Sequence, residues 1–362
     1  MKILVCTGIF PPEIGGPATY AGLLASELPK RGFEVEVLPF RDVRSLPRFI
    51  RHLVYFAKIL SRARKADVIF TQDPVSTGVP VICAAIILSK RVVLRVAGDY
   101  AWEQAAQRFG VKDSIDDFQK NKYLFHVEMF RILQKFSVRF ADTVITPSNY
   151  FTKLVGGWIK NGDKKVRTIY NGIDLKEDFK KDSKFPEKTI ISAGRLVPWK
   201  GFDTLINILP EMPGWRLLIA GDGQDKQRLL DLISKNNLGD RVTFLGKLSR
   251  RELFSQIYQS HIFALLSTFE SFSFQAVEAM HIGTPLIAAR IGNLDEIIKH
   301  EESGILIDPT DKDSFKKYAD KITNDESFRE KLVREGQARA TDFSIEKTLD
   351  KLAAVFRESE NK

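Results

Sequence analysis

Cysteine is scarce in this 362-residue chain: Cys6 and Cys83 are the two present, each in an apolar strand-like or helix-like setting. Neither has a second cysteine or a histidine at metal-ligand spacing. That excludes a disulfide framework and predicts buried core thiols in a reducing compartment. Histidine is equally thin. His52, His126, His261, His281 and His300 are scattered, with no Cys, His or Asp partner at ligand spacing, so no metal is expected. Long apolar runs are also missing. The longest, Gly78 to Leu88, is too short to span a bilayer and is followed by Lys90-Arg91. The opening residues Met1 to Thr7 lack the length of a signal h-region and a cleavage site. The expected location is therefore cytoplasmic, or peripheral on the inner face of the cell membrane. There is no Gly-x-Ser-x-Gly elbow, and Gly221-Asp222-Gly223 lacks the third glycine of a dinucleotide fingerprint. Asp311-Lys312-Asp313 looks like an acid pair for a metal, but it follows a Pro-containing turn on a charged surface and reads as solvated.

What is present is the composition of an ordinary soluble protein, 44% hydrophobic and 28% charged, with a length suited to two domains. The net charge of +9 is uneven. Residues 1–170 carry 26 Lys/Arg against 15 Asp/Glu, or +11, and the remainder carries 29 against 31, or −2. The densest basic part, Arg48 to Lys65, interleaves cations with Phe49, Ile50, Leu53, Val54, Phe56, Ile59 and Leu60. Two readings stand for it: an amphipathic helix for an anionic membrane surface or acceptor, and a packed helix of an α/β layer with a charged outer face. No nucleic-acid motif accompanies the charge, and no nucleic acid is expected as a partner.

The first half alternates strand-like segments (Ile3 to Cys6, Glu34 to Leu38, Val68 to Thr71, Val92 to Val96, Thr143 to Thr146) with helical patterns (Tyr20 to Lys30, Arg48 to Lys65, Gly78 to Ser89, Tyr123 to Phe140). A second alternation starts at Thr189. Its strands are Thr189 to Ala193, Arg216 to Ala220, Val242 to Leu245, Ile262 to Leu266, Pro285 to Ala288 and Ile305 to Ile307. This predicts an α/β protein of two Rossmann-like domains, 1–172 and 189–342, joined by a polar linker at 173–188 and followed by an amphipathic helix within 343–362.

The segment Phe269 to Met280 sets Glu270 and Glu278 eight positions apart around a polar-aromatic stretch, Ser271 to Gln275. Ser273 is a candidate helix cap, which puts Glu270 at a strand-to-helix turn and Glu278 inside the helix, roughly 12 Å along if helical throughout. A helix start favours an anion such as phosphate. By spacing alone a solvated pair on a surface helix is the better reading, and only the rest of the chain overturns it. Upstream, Gly194-Arg195 and Lys200-Gly201 place two cations on a strand-end loop, suited to a diphosphate leaving group. Gly15 and Gly16 precede the first helix, where a backbone can approach a ligand closely.

The ordered series FPPEIGGPATY, GRLVPWKG, AGDG, FLG, ESFSFQAVEAM, GTPLIAARIGNLDEII and SGILIDP resembles the family 4 glycosyltransferases, retaining enzymes of the GT-B fold with a deep interdomain cleft. The resemblance covers nearly the whole chain. It implies transfer of a hexose-type sugar from a nucleoside-diphosphate donor to an acceptor hydroxyl, the acceptor a glycan or lipid-linked saccharide of cell-surface polysaccharide synthesis, with no cofactor or metal. By the same resemblance Glu278 binds the ribose, and Glu270, Ser271 and Phe272 the donor sugar. Gly15, Gly16, Arg195, Lys200, Ser273 and Phe274 bind the donor phosphates, and Lys247 and Leu248 the base. Arg195, Lys200 and Glu270 carry the catalytic work, and the final helix crosses back to the N-terminal domain. Where many relatives have His-Gly, this chain has Ala97-Gly98, and Asp99 is the nearest polar group to take the histidine's place. Ser273 and Asn293 stand where relatives usually have glycine. The same frame would serve a nucleotide-sugar epimerase or phosphorylase, or, given Ala97, a nucleotide-sugar-binding or membrane-associated protein without activity.

Overall fold

The computed structural model describes residues 1–13, 16–176 and 178–360, apart from the side chains of Arg48, Phe49, Asp163 and Glu360. The chain divides into two compact units, one of Met1–Tyr170 with the residues from Glu346 onward, the other Asn171–Ile345.

The first unit holds strands β1 (Lys2–Thr7), β2 (Glu34–Pro39), β3 (Val68–Thr71), β4 (Arg91–Arg95), β5 (Thr143–Thr146) and β6 (Val166–Thr168). They form one parallel sheet in the order β2-β1-β3-β4-β5-β6. Its helices are α1 (Gly16–Glu27), α2 (Arg48–Ala63), α3 (Gly78–Leu88), α4 (Tyr100–Arg108), α5 (Ile115–Lys120), α6 (Phe125–Phe140) and α7 (Asn149–Gly156). From β2 onward every crossover advances the same way along the sheet, so right-handed connections put α2, α3 and α6 in one layer. Both sheet faces are covered, and the strands accordingly read as near-continuous apolar runs.

The second unit repeats the plan with β7 (Lys188–Ala193), β8 (Trp215–Ala220), β9 (Val242–Gly246), β10 (Ile262–Leu265), β11 (Leu286–Ala289) and β12 (Ile305–Ile307), ordered β12-β11-β10-β7-β8-β9 and parallel throughout. Its helices are α8 (Phe202–Ile208), α9 (Lys226–Lys235), α10 (Arg250–Gln259), α11 (Phe274–Ile282), α12 (Leu294–Ile297), α13 (Lys312–Asn324) and α14 (Glu326–Ala340). The last helix, α15 (Ile345–Glu360), packs in the first unit: Phe356 meets Phe33 and Phe70 at 6.0 and 5.8 Å, and Arg31 bonds Asp350 at 3.1 Å.

Several features depart from the sequence reading, which gave no helix at α4, α5 or α7. The strand β6 goes unseen because three residues carry no period. The helix α14 goes unseen because only Leu332, Gly336 and Ala340 are buried along it, too few to mark an apolar stripe. The polar segment read as a linker is partly packed, with Phe179 buried against Phe254 and Tyr258. The basic segment is a packed helix of the sheet layer on its inner side, where Tyr55, Ile59 and Ala63 are buried, and Tyr55 donates to Leu38 O at 3.0 Å.

Candidate functional site

In the second unit the loops leaving β7, β8 and β9 are built against one another. Gly194 N donates to Ala220 O (2.9 Å), Leu196 N to Asp222 O (3.1 Å), Asp225 N to Leu196 O (3.1 Å) and Gly221 N to Gly246 O (2.7 Å). These approaches dictate residue type. Gly221 has φ +134° and Gly201 φ +69°; a Cβ would stand 1.9 Å from Gly194 O at the first and 2.0 Å from Leu266 O at the second. Thr268 N donates to Trp199 O at 2.8 Å, which pins the turn Pro198–Lys200 to the segment after β10.

That pinning brings Lys200 and Glu270 together. Lys200 Nζ lies 2.5 Å from Glu270 Oε1, and Ser267 Oγ donates to the same oxygen at 2.8 Å. Glu270 is 7% exposed, so the bond is charge-assisted and largely out of water. Arg195, the second cation, stands exposed with its guanidinium 5.7 Å from the Trp199 ring centroid. The two cations thus differ: Lys200 is committed to a carboxylate, and Arg195 is presented to solvent.

The helix α11 begins just beyond. Ser273 caps it, its Oγ accepting the Ala276 amide at 3.3 Å. At φ −102° the serine needs no left-handed backbone, so its replacing a glycine carries no strain. The amides of Phe274 and Gln275 fall in the first turn, where helical geometry supplies no partner. Phe272 is buried, edge-on to Phe274 and Phe343 at 5.5 and 5.8 Å, while Ser271 is half-buried. The phenyl ring therefore anchors the loop and is itself closed to a ligand.

About one turn into the helix, Glu278 is 8% exposed and its Oε1 lies 3.1 Å from Arg250 Nη2. The sequence reading gave Arg250 no role. The available signal is the capping box that starts α10: Ser249 Oγ accepts the Glu252 amide (3.3 Å), and Glu252 Oε2 accepts the Ser249 amide (2.8 Å). It locates the helix start but not the partner on α11. Lys247 is exposed with Nζ 3.6 Å from Asp222 Oδ2, and Leu248 beside it is half-buried. Asn293 is buried just before α12 at φ −82°, so the asparagine also fits without left-handed strain.

In the first unit, Gly15 lies outside the described residues. Gly16 opens α1, and a Cβ added there would meet nothing within 4 Å, so packing among the described residues does not demand a glycine. The reading of Asp99 is corrected. It is fully buried, its Oδ1 accepting from the Trp102 amide (3.1 Å) and Gln134 Nε2 (3.0 Å), its Oδ2 from Gln119 Nε2 (2.9 Å). It caps α4, and no face of the carboxylate is open to a sugar. Burial pushes its carboxyl above the ordinary aspartate range, against the pull of those donors. Nearby Arg95 is buried over the Tyr20 ring at 4.0 Å, a cation that sequence spacing did not single out.

Comparison with known proteins gives a consistent result. The family described as Glycosyltransferase Family 4 matches residues 14–177, and that described as Glycosyl transferases group 1 matches residues 174–339. An uncharacterised glycosyltransferase of Methanocaldococcus jannaschii is 27% identical over 92% of both chains. The N-acetyl-alpha-D-glucosaminyl L-malate synthase of Bacillus anthracis is 24% identical over 95% of this chain and 94% of its own length. Among solved structures, sucrose-phosphate synthase from Thermosynechococcus elongatus superposes with a TM-score of 0.79 at 20% identity, over 99% of each chain. Anabaena HepE in complex with UDP-glucose gives 0.76 at 20% identity, over 99% of this chain and 100% of that one. At these identities the structural likeness is one of fold.

Proposed function

Because the chain belongs to the family 4 glycosyltransferases and has their GT-B fold, we propose that it moves a hexose-type sugar from a nucleoside-diphosphate donor to an acceptor hydroxyl with retention at the anomeric carbon. The observation that carries this reading is the charged array in the second unit: Lys200 on Glu270 at 2.5 Å just ahead of α11, and Glu278 on Arg250 at 3.1 Å about one turn into that helix. An acid at each end of a helix start suits a sugar-diphosphate-ribose chain, with the donor sugar at Glu270, the phosphates at the first turn of α11 beside Lys200 and Arg195, and the ribose at Glu278. The bond from the anomeric carbon to the diphosphate breaks while a bond to the acceptor oxygen forms on the same face, and a phosphate oxygen takes the acceptor proton. Lys200 and Arg195 stabilise the charge gathering on the leaving diphosphate without a metal ion. The basic excess of residues 1–170 favours an anionic or lipid-linked acceptor, as in cell-surface polysaccharide synthesis, at the inner face of the membrane.

The test is a panel of UDP-, GDP- and ADP-sugars scored by thermal shift, then by nucleotide release with lipid-linked acceptors and by the anomeric configuration of the product. One donor should raise Tm and be transferred with retention, unaffected by a chelator. An inverted product, chelator-sensitive turnover, or an altered sugar nucleotide without acceptor would overturn the reading. A second reading, of a nucleotide-sugar-binding protein without activity, is favoured by Ala97, since Asp99 is buried and cannot replace a histidine there. Tight donor binding with no nucleotide release would support it.

A further inference from the structure

Of the eleven large apolar side chains exposed among the described residues, ten lie between Ile50 and Phe140 in the first unit, and the eleventh is Leu230. Single exposed apolar residues are ordinary, but this concentration is not. It falls on helices that touch: α3 packs against both α2 and α6. On α6, Phe125, Met129, Ile132 and Phe140 are exposed at intervals of four, three and eight, one stripe of a helix, while Val127, Arg131, Gln134 and Val138 form the buried stripe behind it. Phe125 is 71% exposed, and Leu124 ahead of it 69%. Ile86 and Ile87 extend the apolar surface on α3, and Leu53 and Ile50 on α2.

Cations border these residues. Lys122, Lys135 and Arg139 lie on or beside α6, Lys58, Arg64 and Lys65 on or beside α2, and none of them forms an ion pair among the described residues. Apolar rings that enter an acyl boundary, with lysine and arginine at headgroup level, are the combination an anionic bilayer rewards. Such a surface suits a protein partner poorly unless that partner is strongly acidic.

We propose that the outer face of α3 and α6, with the adjoining part of α2, docks on an anionic phospholipid bilayer. Phe125, Ile132, Ile86 and Ile87 enter the interface, and Lys135 and Arg139 contact phosphate headgroups. This deepens the peripheral-membrane part of the function proposed above and rests on it. Vesicle binding is read without sugar transfer, so its failure would leave the donor chemistry untouched.

The full chain is floated with vesicles of neutral phosphatidylcholine and with vesicles containing roughly a third phosphatidylglycerol. Binding should be at least about tenfold stronger to the anionic vesicles and should fall with added salt. The variant Phe125→Ser/Ile132→Ser, checked for an unchanged thermal transition, should lose about tenfold in vesicle binding. Lys135→Glu/Arg139→Glu should lose the anionic preference. Absence of flotation, equal binding by wild type and the serine variant, or sedimentation showing a dimer that the serine variant dissolves would overturn the proposal, the last in favour of a second copy of this chain.

Discussion

Both units are six-stranded parallel sheets wound with helices, yet they hold their buried acids in different ways. In the second unit Glu270 and Glu278 each lie against a cation from another segment, Lys200 and Arg250. In the first unit Asp99 is held by a backbone amide and two glutamine side chains. The difference is one of exchangeability. A cation shared with a carboxylate can turn part of its field to an arriving diphosphate, whereas a carboxylate enclosed by neutral donors has its valences filled by the fold. Burial alone therefore does not distinguish these acids; the partner does.

The sharpest way to break this comparison is at the Lys200–Glu270 pair. Removing one partner leaves the other charge buried and costs about 3–5 kcal/mol, so Lys200→Met should lower the unfolding midpoint as well as abolish turnover. The double variant Lys200→Met/Glu270→Gln removes both charges and should regain most of that stability while turnover stays down by about 10²–10³-fold. Urea unfolding beside nucleotide-release kinetics makes the separation. Recovery of activity in the double variant would show that the pair serves only the fold.

Asp99 supplies the counter-test. Asp99→Ala removes a helix cap and strands two glutamine donors, for a loss of about 2–3 kcal/mol, with kcat per folded molecule changed less than about twofold. Because burial raises its carboxyl pKa, the folded state retains the proton where the unfolded state has lost it. This contribution is full below the unfolded value near 4 and fades as pH rises through the folded value. Asp99→Asn should flatten that part of the stability–pH curve; Asp73, half-buried and shifted the same way, accounts for the slope that persists. A variant that folds normally and loses turnover would return Asp99 to the chemistry.

The mildest effect is expected at Arg250. Acting through Glu278, it is a positioning residue, so Arg250→Met should raise the donor KM about tenfold and leave kcat nearly unchanged. An equal fall in kcat would place Arg250 against the reacting groups instead.

Much of this was legible in the sequence, for physical reasons that can be named. Parallel strands buried on both faces announce themselves as apolar runs, and the glycines at 194, 201 and 221 sit where loops pass within contact distance of backbone. Ser273 declared its helix by its position before an apolar segment. What could not be read were pairings between segments far apart in the chain, such as Arg250 with Glu278. The enclosure of Asp99 was hidden for the same reason, since its partners Gln119 and Gln134 lie 20 and 35 residues on. The outward face of α6 was missed because the heptad-like spacing that normally marks a core stripe here marks the surface as well.

The return of α15 bears on how the chain is made. Residues of the second unit are all synthesised between two parts of the first, and the parallel bridge of Ile173 with Ser344 joins that unit's own two ends. It can therefore close as a finished body while the first unit still waits for Phe356, the ring that meets both Phe33 and Phe70. Of the two units the later-coded one thus has all its residues first, and residues 346–360 supply the helix that the earlier one still lacks.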